Sequence, residues 1–281
     1  RTWRYICRKT GARYIKQQVT LPVTSTSDFI HDFFSAISAR TRVIFLSQIT
    51  SQTALTFPVQ EICEKARELG ILSIIDGAHV PGHIPLDLAA INADIYTGVC
   101  HKWLCAPKGS AFLYAHPNIQ QNLDPLIVSW GYEAEQPGPS HFIDYLQWQG
   151  TRDLAAFLSV PSAIQYQQEN DWQTVSQRCH ELALRAHAGI NSLTGLEPLS
   201  PPASPWFQQM FAVRLPVGLE PDSLKTFLYE QHNIEVLTHT WQGQPLMRAS
   251  FQAYNHASDL EALLAALEEY LSKKESKHEN Y

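Results

Sequence analysis

From Arg42 to Ser47 the chain is almost continuously apolar, the pattern of a strand buried on both faces. Ile71 to Ile75 repeats it and delivers Asp76. Between them Val59 to Leu69 has helical spacing, with Pro58 at the first helical position and Gly70 as its stop. Ser110 to Ala115 predicts a further strand. Upstream, a helix over Trp3 to Arg8 stops near Gly11, and a strand is expected through Tyr14, Ile15 and Val19. Thr26-Ser27-Asp28 then starts a helix in which Phe29, Ile30, Phe33, Phe34 and Ile37 recur at helical spacing. This alternation of strand and helix predicts an α/β fold with a mainly parallel sheet.

The pattern changes after Ala115. Residues from His116 to Gln149 are broken by Pro117, Pro125, Gly131, Pro137, Gly138 and Pro139, with Trp130, Tyr132, Phe142, Tyr145 and Trp148 interleaved. That aromatic content predicts an ordered active-site or interface loop. Asp153 to Gln168 and Asp171 to Ser192 read as long helices. Beyond a linker marked by Pro198, Pro201, Pro202 and Pro205, a smaller α/β unit follows: strands over Phe211 to Leu215, Ile234 to Leu237 and Leu246 to Phe251, and helices over Pro221 to Gln231 and Ser258 to Leu271. In the last strand Leu246, Arg248 and Ser250 share a face. The polar tail Lys273 to Tyr281 is expected to fray. The chain thus divides into a large domain, 1–169, and a small C-terminal domain, 170–281.

Composition narrows the function classes. With 281 residues, 44% apolar and 17% charged, the chain is an ordinary folded protein. Its net charge of −6 gives no general reason to expect nucleic acid or an anionic membrane as partner. No apolar run reaches the roughly 18 residues of a membrane span, and Arg1-Thr2-Trp3-Arg4-Tyr5 lacks the apolar core of a signal peptide, so the expected compartment is the cytoplasm. Five scattered cysteines without a CxxC pair argue against a disulfide framework or a zinc site.

The chemistry concentrates at Asp76-Gly77-Ala78-His79 and Tyr96-Thr97-Gly98-Val99-Cys100-His101-Lys102-Trp103. Both segments follow apolar strands, and open α/β sheets bind ligands at the carboxyl ends of their strands. A lysine that forms an imine must be desolvated or held near positive charge, because at its ordinary pKa of about 10.4 it stays protonated. Trp103, Leu104, Cys100 and Cys105 could desolvate Lys102. A buried carboxylate such as Asp76 would keep a pyridine nitrogen protonated; one such pair at ~4 Å is worth about 4 kcal/mol at an effective dielectric near 20.

The stretch Arg42-Val43-Ile44-Phe45-Leu46 … Thr50-Ser51 … Asp76-Gly77-Ala78-His79 … His101-Lys102-Trp103-Leu104-Cys105-Ala106-Pro107-Lys108-Gly109-Ser110, continued by Gln149-Gly150-Thr151-Arg152-Asp153 and Met247-Arg248-Ala249-Ser250 … Tyr254-Asn255, resembles the class V aminotransferase superfamily, nearest its isopenicillin N epimerase-like branch. The resemblance implies fold type I of the pyridoxal-phosphate transferases and pyridoxal 5'-phosphate as cofactor. It implies Lys102 as the Schiff-base lysine, Asp76 as partner of the ring nitrogen, and His79 as hydrogen-bonded to the ring oxygen, with Ser51 contributing. His101 would lie at the cofactor phosphate. Gly150 and Thr151 would reach the cofactor of a neighbouring subunit, which implies a homodimer with shared sites. Arg248 would grip the substrate α-carboxylate, a task suited to a planar fork of donors.

Two departures go with it. Val99 stands where a polar phosphate contact is common, and Arg1 stands where the family already has a segment supplying a phosphate-binding turn and a ring-stacking side chain. The rival expectation is therefore a truncated, catalytically inactive paralogue that keeps the fold for binding or assembly. A metal site built from Asp76, His79, His83 and His101 is disfavoured, since Pro81 and Gly82 separate the histidines and there is no HExxH. Ala106-Pro107-Lys108-Gly109-Ser110 lacks the spacing of a phosphate-binding NTPase loop. Among pyridoxal reactions, desulfuration is disfavoured because no cysteine follows Cys179. An epimerase-like or C–S lyase-like reaction on an α-amino acid or small peptide remains, with the freed Lys102 amine as base at Cα.

Overall fold

A computed structural model describes residues 1–201 and 205–278. Four strands, β1 (Val43–Ser47), β2 (Leu72–Asp76), β3 (Ile95–Val99) and β4 (Ala111–Ala115), form one sheet in that order. β1, β2 and β3 run parallel, and β4 is antiparallel to β3. The expected α/β architecture with a mainly parallel sheet is present. Register places Ser47 beside Asp76 and Asp76 beside Thr97, so the carboxyl ends of β1, β2 and β3 open onto one rim.

Helices α1 (Thr2–Thr10), α2 (Thr26–Phe34), α3 (Val59–Glu68) and α4 (Leu88–Ile91) accompany this sheet. Pro58 sits at the N-cap of α3 rather than inside it, and Val59, Ile62, Cys63 and Ala66 bury one face of that helix. α2 is capped by Ser25, whose hydroxyl accepts from the Asp28 N–H at 3.1 Å.

β1 departs from the expected strand buried on both faces. Ile44 and Leu46 enter the core with α3, but Val43 and Phe45 on the opposite face are 42% and 46% exposed. Trp3 of α1 packs there, its ring centroid 5.4 Å from that of Phe45. The strand expected through Tyr14, Ile15 and Val19 does not form either. The Gln17 side chain donates to the Asp32 carbonyl (2.9 Å) and to Ser35, and Gln18 to Gln242, so the segment is tied by side chains.

The aromatic loop after β4 contains two short helices, α5 (Pro117–Gln120) and α6 (His141–Gln147). The single helix expected over 153–168 is broken into α7 (Ala155–Leu158) and α8 (Val160–Glu169), because Pro161 lacks the N–H that would carry α7 onward. α9 (Trp172–Thr194) is unbroken.

The C-terminal sheet has the order β5-β7-β6, all antiparallel, with β5 (Met210–Arg214), β6 (Leu237–Trp241) and β7 (Gln244–Ser250). α9, α10 (Pro221–His232) and α11 (Ala257–His278) share its core. β6 starts where the expected strand over Ile234 to Leu237 ends. Asn233 takes the left-handed cap of α10 and the Ile234 N–H turns back to the Leu228 carbonyl, so these residues finish the helix. Gln242 and Gly243, both at positive φ, make the two-residue turn into β7. α11 continues to His278, past the point where fraying was expected. Pro202 of the expected linker and residues 279–281 of the expected tail lie outside the described residues.

Candidate active site

Asp76 closes β2. Its Oδ1 accepts the Ala78 N–H at 2.9 Å and its Oδ2 accepts the Ser47 hydroxyl at 3.3 Å, so the carboxylate is held from two strands. Gly77 is required next, since a Cβ there would fall 2.2 Å from the Tyr96 hydroxyl oxygen and 2.3 Å from the ring. Tyr96 is itself pinned by donating to Gln48 at 2.6 Å. The chain then turns through His79 to Gly82, whose φ of +79° and close approach to the Leu104 backbone leave no room for a side chain.

Lys102 follows β3. Its Nζ lies 3.1 Å from His79 Nε2, and the Trp103 indole N–H donates to His79 Nδ1 at 3.3 Å. Lys102 is exposed at the head of this arrangement, yet partial desolvation pulls its ammonium below the ordinary lysine range; Asp76 opposes that shift and Arg248 adds to it. Burial first, then Lys102, Arg248 and His83, push His79 down to about 3, so it is neutral at physiological pH.

Arg248 arrives from β7. Its Nη1 donates to the Ser51 carbonyl (2.5 Å) and hydroxyl (3.1 Å). Burial depresses its pKa, and among the described residues no carboxylate pairs with Arg248 or with Lys102. An unpaired, half-buried guanidinium is suited to an incoming anion.

The fold therefore brings together Asp76, His79, Lys102, Arg248 and Ser51. His101 adjoins them, with its Nδ1 buried and lacking a hydrogen-bond partner. Gly150 and Thr151 lie between α6 and α7 and make no hydrogen bond to the cluster among the described residues. Sequence reasoning missed Ser47 as a holder of Asp76, although its place at the end of a strand beside β2 was a signal. It also treated Trp103 as an apolar neighbour and His83 only as a rejected metal ligand. His83 is 4% exposed and stacks on Trp103, centroids 3.9 Å apart and 14° between planes. A cleft of about 490 Å³ opens elsewhere, lined by residues such as Gln17, Arg214 and Trp241. It holds none of the cluster, which is defined by convergent polar groups rather than by depth.

The family model for aminotransferase class V matches residues 1–263. Isopenicillin N epimerase of Amycolatopsis lactamdurans is 36% identical over 282 residues, covering 96% of this chain and 70% of that protein. The Streptomyces clavuligerus isopenicillin N epimerase is 32% identical, covering 95% and 69%. The apo cysteine desulfurase of Thermococcus onnurineus NA1 shares the fold at a TM-score of 0.79 and 19% identity, over 96% of this chain and 69% of that one. The chain belongs to the class-V aminotransferase family, pyridoxal-phosphate-dependent enzymes acting on amino acids.

Proposed function

We propose that this chain binds pyridoxal phosphate covalently through Lys102 and acts at Cα of an α-amino acid or small peptide, with an epimerase-like outcome. The observation that carries the reading is the convergence of two basic side chains, Lys102 and Arg248, neither with a carboxylate partner among the described residues, on neutral His79 beside a fixed Asp76. The residues fit the cofactor: an amine shifted toward its nucleophilic form, an anchored carboxylate for a protonated ring nitrogen, and an orphaned imidazole nitrogen on His101 for a phosphate oxygen. When bound, pyridoxal phosphate withdraws electrons from the substrate and makes its Cα hydrogen removable.

The chain's own residues would do the rest. Asp76 holds the ring-nitrogen proton, and His79 orients the cofactor oxygen, with Ser51 beside it. Arg248, with Nη1 tied to Ser51, keeps its remaining N–H edge for the substrate carboxylate. The Lys102 amine would take the Cα proton from one face, and a proton delivered from solvent to the other face would invert the centre. The similarity to isopenicillin N epimerases favours that outcome over C–S cleavage.

The same reading makes the protein a cytoplasmic homodimer, divided at residue 169 into a large and a small domain. Gly150 and Thr151 would serve the neighbouring subunit's cofactor. Support for the dimer comes from exposed apolar side chains in the same region, Leu126, Trp130 and Leu158 among them. The unpaired cysteines support a reducing compartment. No helix among the described residues is long and apolar enough to cross a membrane.

The test is the visible absorption of protein incubated with pyridoxal phosphate and desalted, wild type beside Lys102→Ala. A retained band that borohydride fixes, and that Lys102→Ala abolishes, is expected. A wild type that retains nothing, or a Lys102→Ala protein that keeps the band, overturns the proposal.

A further inference from the structure

We infer that Trp103 and His83 are positioning residues that fix the tautomer of His79, so that its Nε2–H faces Lys102 and favours the lysine as a neutral amine. The inference rests on Lys102 being the lysine that holds the cofactor.

An indole N–H donates and cannot accept. Trp103 Nε1 lies 3.3 Å from His79 Nδ1, so that nitrogen presents its lone pair. A neutral imidazole has a single ring proton, which must then sit on Nε2. Nε2 is 3.1 Å from Lys102 Nζ. The contact is therefore Nε2–H donating to Nζ, and only an amine has the lone pair to accept it; an ammonium would set donor against donor. His79 is kept from becoming an imidazolium first by burial and, with Lys102 a neutral amine, by the charge of Arg248.

A second histidine holds Trp103 in place by the same logic. The backbone N–H of Gln209 donates to His83 Nε2 at 3.2 Å, which puts the His83 proton on Nδ1, 3.0 Å from the His79 carbonyl. His83 thus anchors the backbone of His79 while its ring lies flat against Trp103. Gln209 immediately precedes β5, and its side chain donates to the Phe251 carbonyl just past β7. The sheet that delivers Arg248 also sets the clamp on the histidine beside Lys102. The charged and titratable groups facing the pair are Asp76, which favours the ammonium, Arg248, which opposes it, and His180 on α9 near His83.

The test uses the cofactor-free protein, so that its failure is separable from failure of the cofactor reading. In long-range proton–nitrogen spectra of ¹⁵N-histidine protein, His79 should show protonated Nε2 and bare Nδ1 at neutral pH. Trp103→Phe preserves a ring against His83 and removes the donor. In that variant an Nδ1–H form of His79 should appear. The pH profile of Lys102 modification by trinitrobenzenesulfonate, read by mass spectrometry, should move up by about one unit, which is about tenfold slower reaction at neutral pH. In a His79→Ala background the same substitution should leave the profile unmoved, which a merely structural tryptophan would not predict. A wild-type Nδ1–H tautomer, an unshifted profile in Trp103→Phe, or an equal shift without His79 overturns the inference. If Trp103→Phe does not fold, the wild-type spectrum alone decides. Protein that passes these tests yet retains no pyridoxal phosphate would overturn the cofactor reading and leave the tautomer assignment standing.

Discussion

The two sheets divide the work of the molecule unequally. The four-stranded sheet carries Asp76, His79 and Lys102 at its rim, but one of its faces is open, with Val43, Phe45 and Leu113 each more than two-fifths exposed. The three-stranded sheet is the more enclosed along β5, where Met210, Phe211, Ala212 and Val213 are all buried, and α9, α10 and α11 share its core, while Leu237 on the edge strand β6 is 38% exposed. It sends Arg248 into the site. The sheet with the reactive groups has the thinner cover, and the sheet with the deeper core contributes a single guanidinium and, through Gln209, a fixed His83. The difference teaches that placement of the reactive groups depends on strand ends and loop hydrogen bonds, whereas resistance to unfolding is concentrated where few reactive groups sit.

The largest expected effect is one that both regions share. Burial pushes His83, beside the site, and His187, in the C-terminal core, each down to about 4. Their folded pKa lies below the unfolded value of about 6.5, so between the two the unfolded chain binds more protons and stability falls as pH drops. The contribution is full above about pH 6.5 and lost on approaching pH 4, about 3 kcal/mol for each histidine. Urea unfolding across that window should show the loss, and His187→Leu should lose about 3 kcal/mol less than wild type over it. An unchanged pH dependence in that variant would show that His187 is not buried neutral.

Next in size is Phe211→Ala on β5. Phe211 has no exposed surface and touches Phe207, Phe251 and His187. Removing its ring leaves a cavity enclosed by helices on one side, at a cost of about 3–5 kcal/mol. Denaturant titration would measure it. A loss below about 1 kcal/mol would mean that the C-terminal core collapses freely, and the contrast between the sheets would fail.

Much of this was legible in the sequence, for physical reasons that differ by element. β1, β2 and α3 were readable because their apolar periods are set by local burial: Ile44 and Leu46 on the strand, Val59, Ile62, Cys63 and Ala66 on the helix. The open face of β1 was not, because Val43 and Phe45 are as apolar as their buried neighbours and only the rest of the fold decides what covers them. Ile234 and Val236 have strand-forming side chains, but after the left-handed cap at Asn233 the Ile234 N–H is committed to the end of α10. At the site, Lys102, Asp76 and Arg248 could be named from motif resemblance, and the fold brings them together. The parts of Trp103 and His83 could not be read, since a hydrogen bond from an indole to one particular ring nitrogen has no sequence signal. Gly150 and Thr151 were named by resemblance alone, and this chain's geometry gives them no partner in the cluster among the described residues.

The smallest expected effect tests the open face directly. Phe45 sits on the same strand as Ile44 and Leu46, one residue from each, yet it is 46% exposed and its aromatic contact is with Trp3. Phe45→Ala removes that tilted ring pair and part of a half-covered surface, for which about 0.5–1.5 kcal/mol is the usual scale. The register that sets Ser47 beside Asp76 is held by the β1–β2 ladder and by the buried residues, so the hydrogen bond between them should survive and cofactor retention should stay at the wild-type level. Trp3→Ala should give a similar small loss, and the double variant less than the sum, because both remove the same contact. A loss from Phe45→Ala as large as that from Phe211→Ala would instead show that this face is covered in the working protein, and the four-stranded sheet would then be as enclosed as its neighbour.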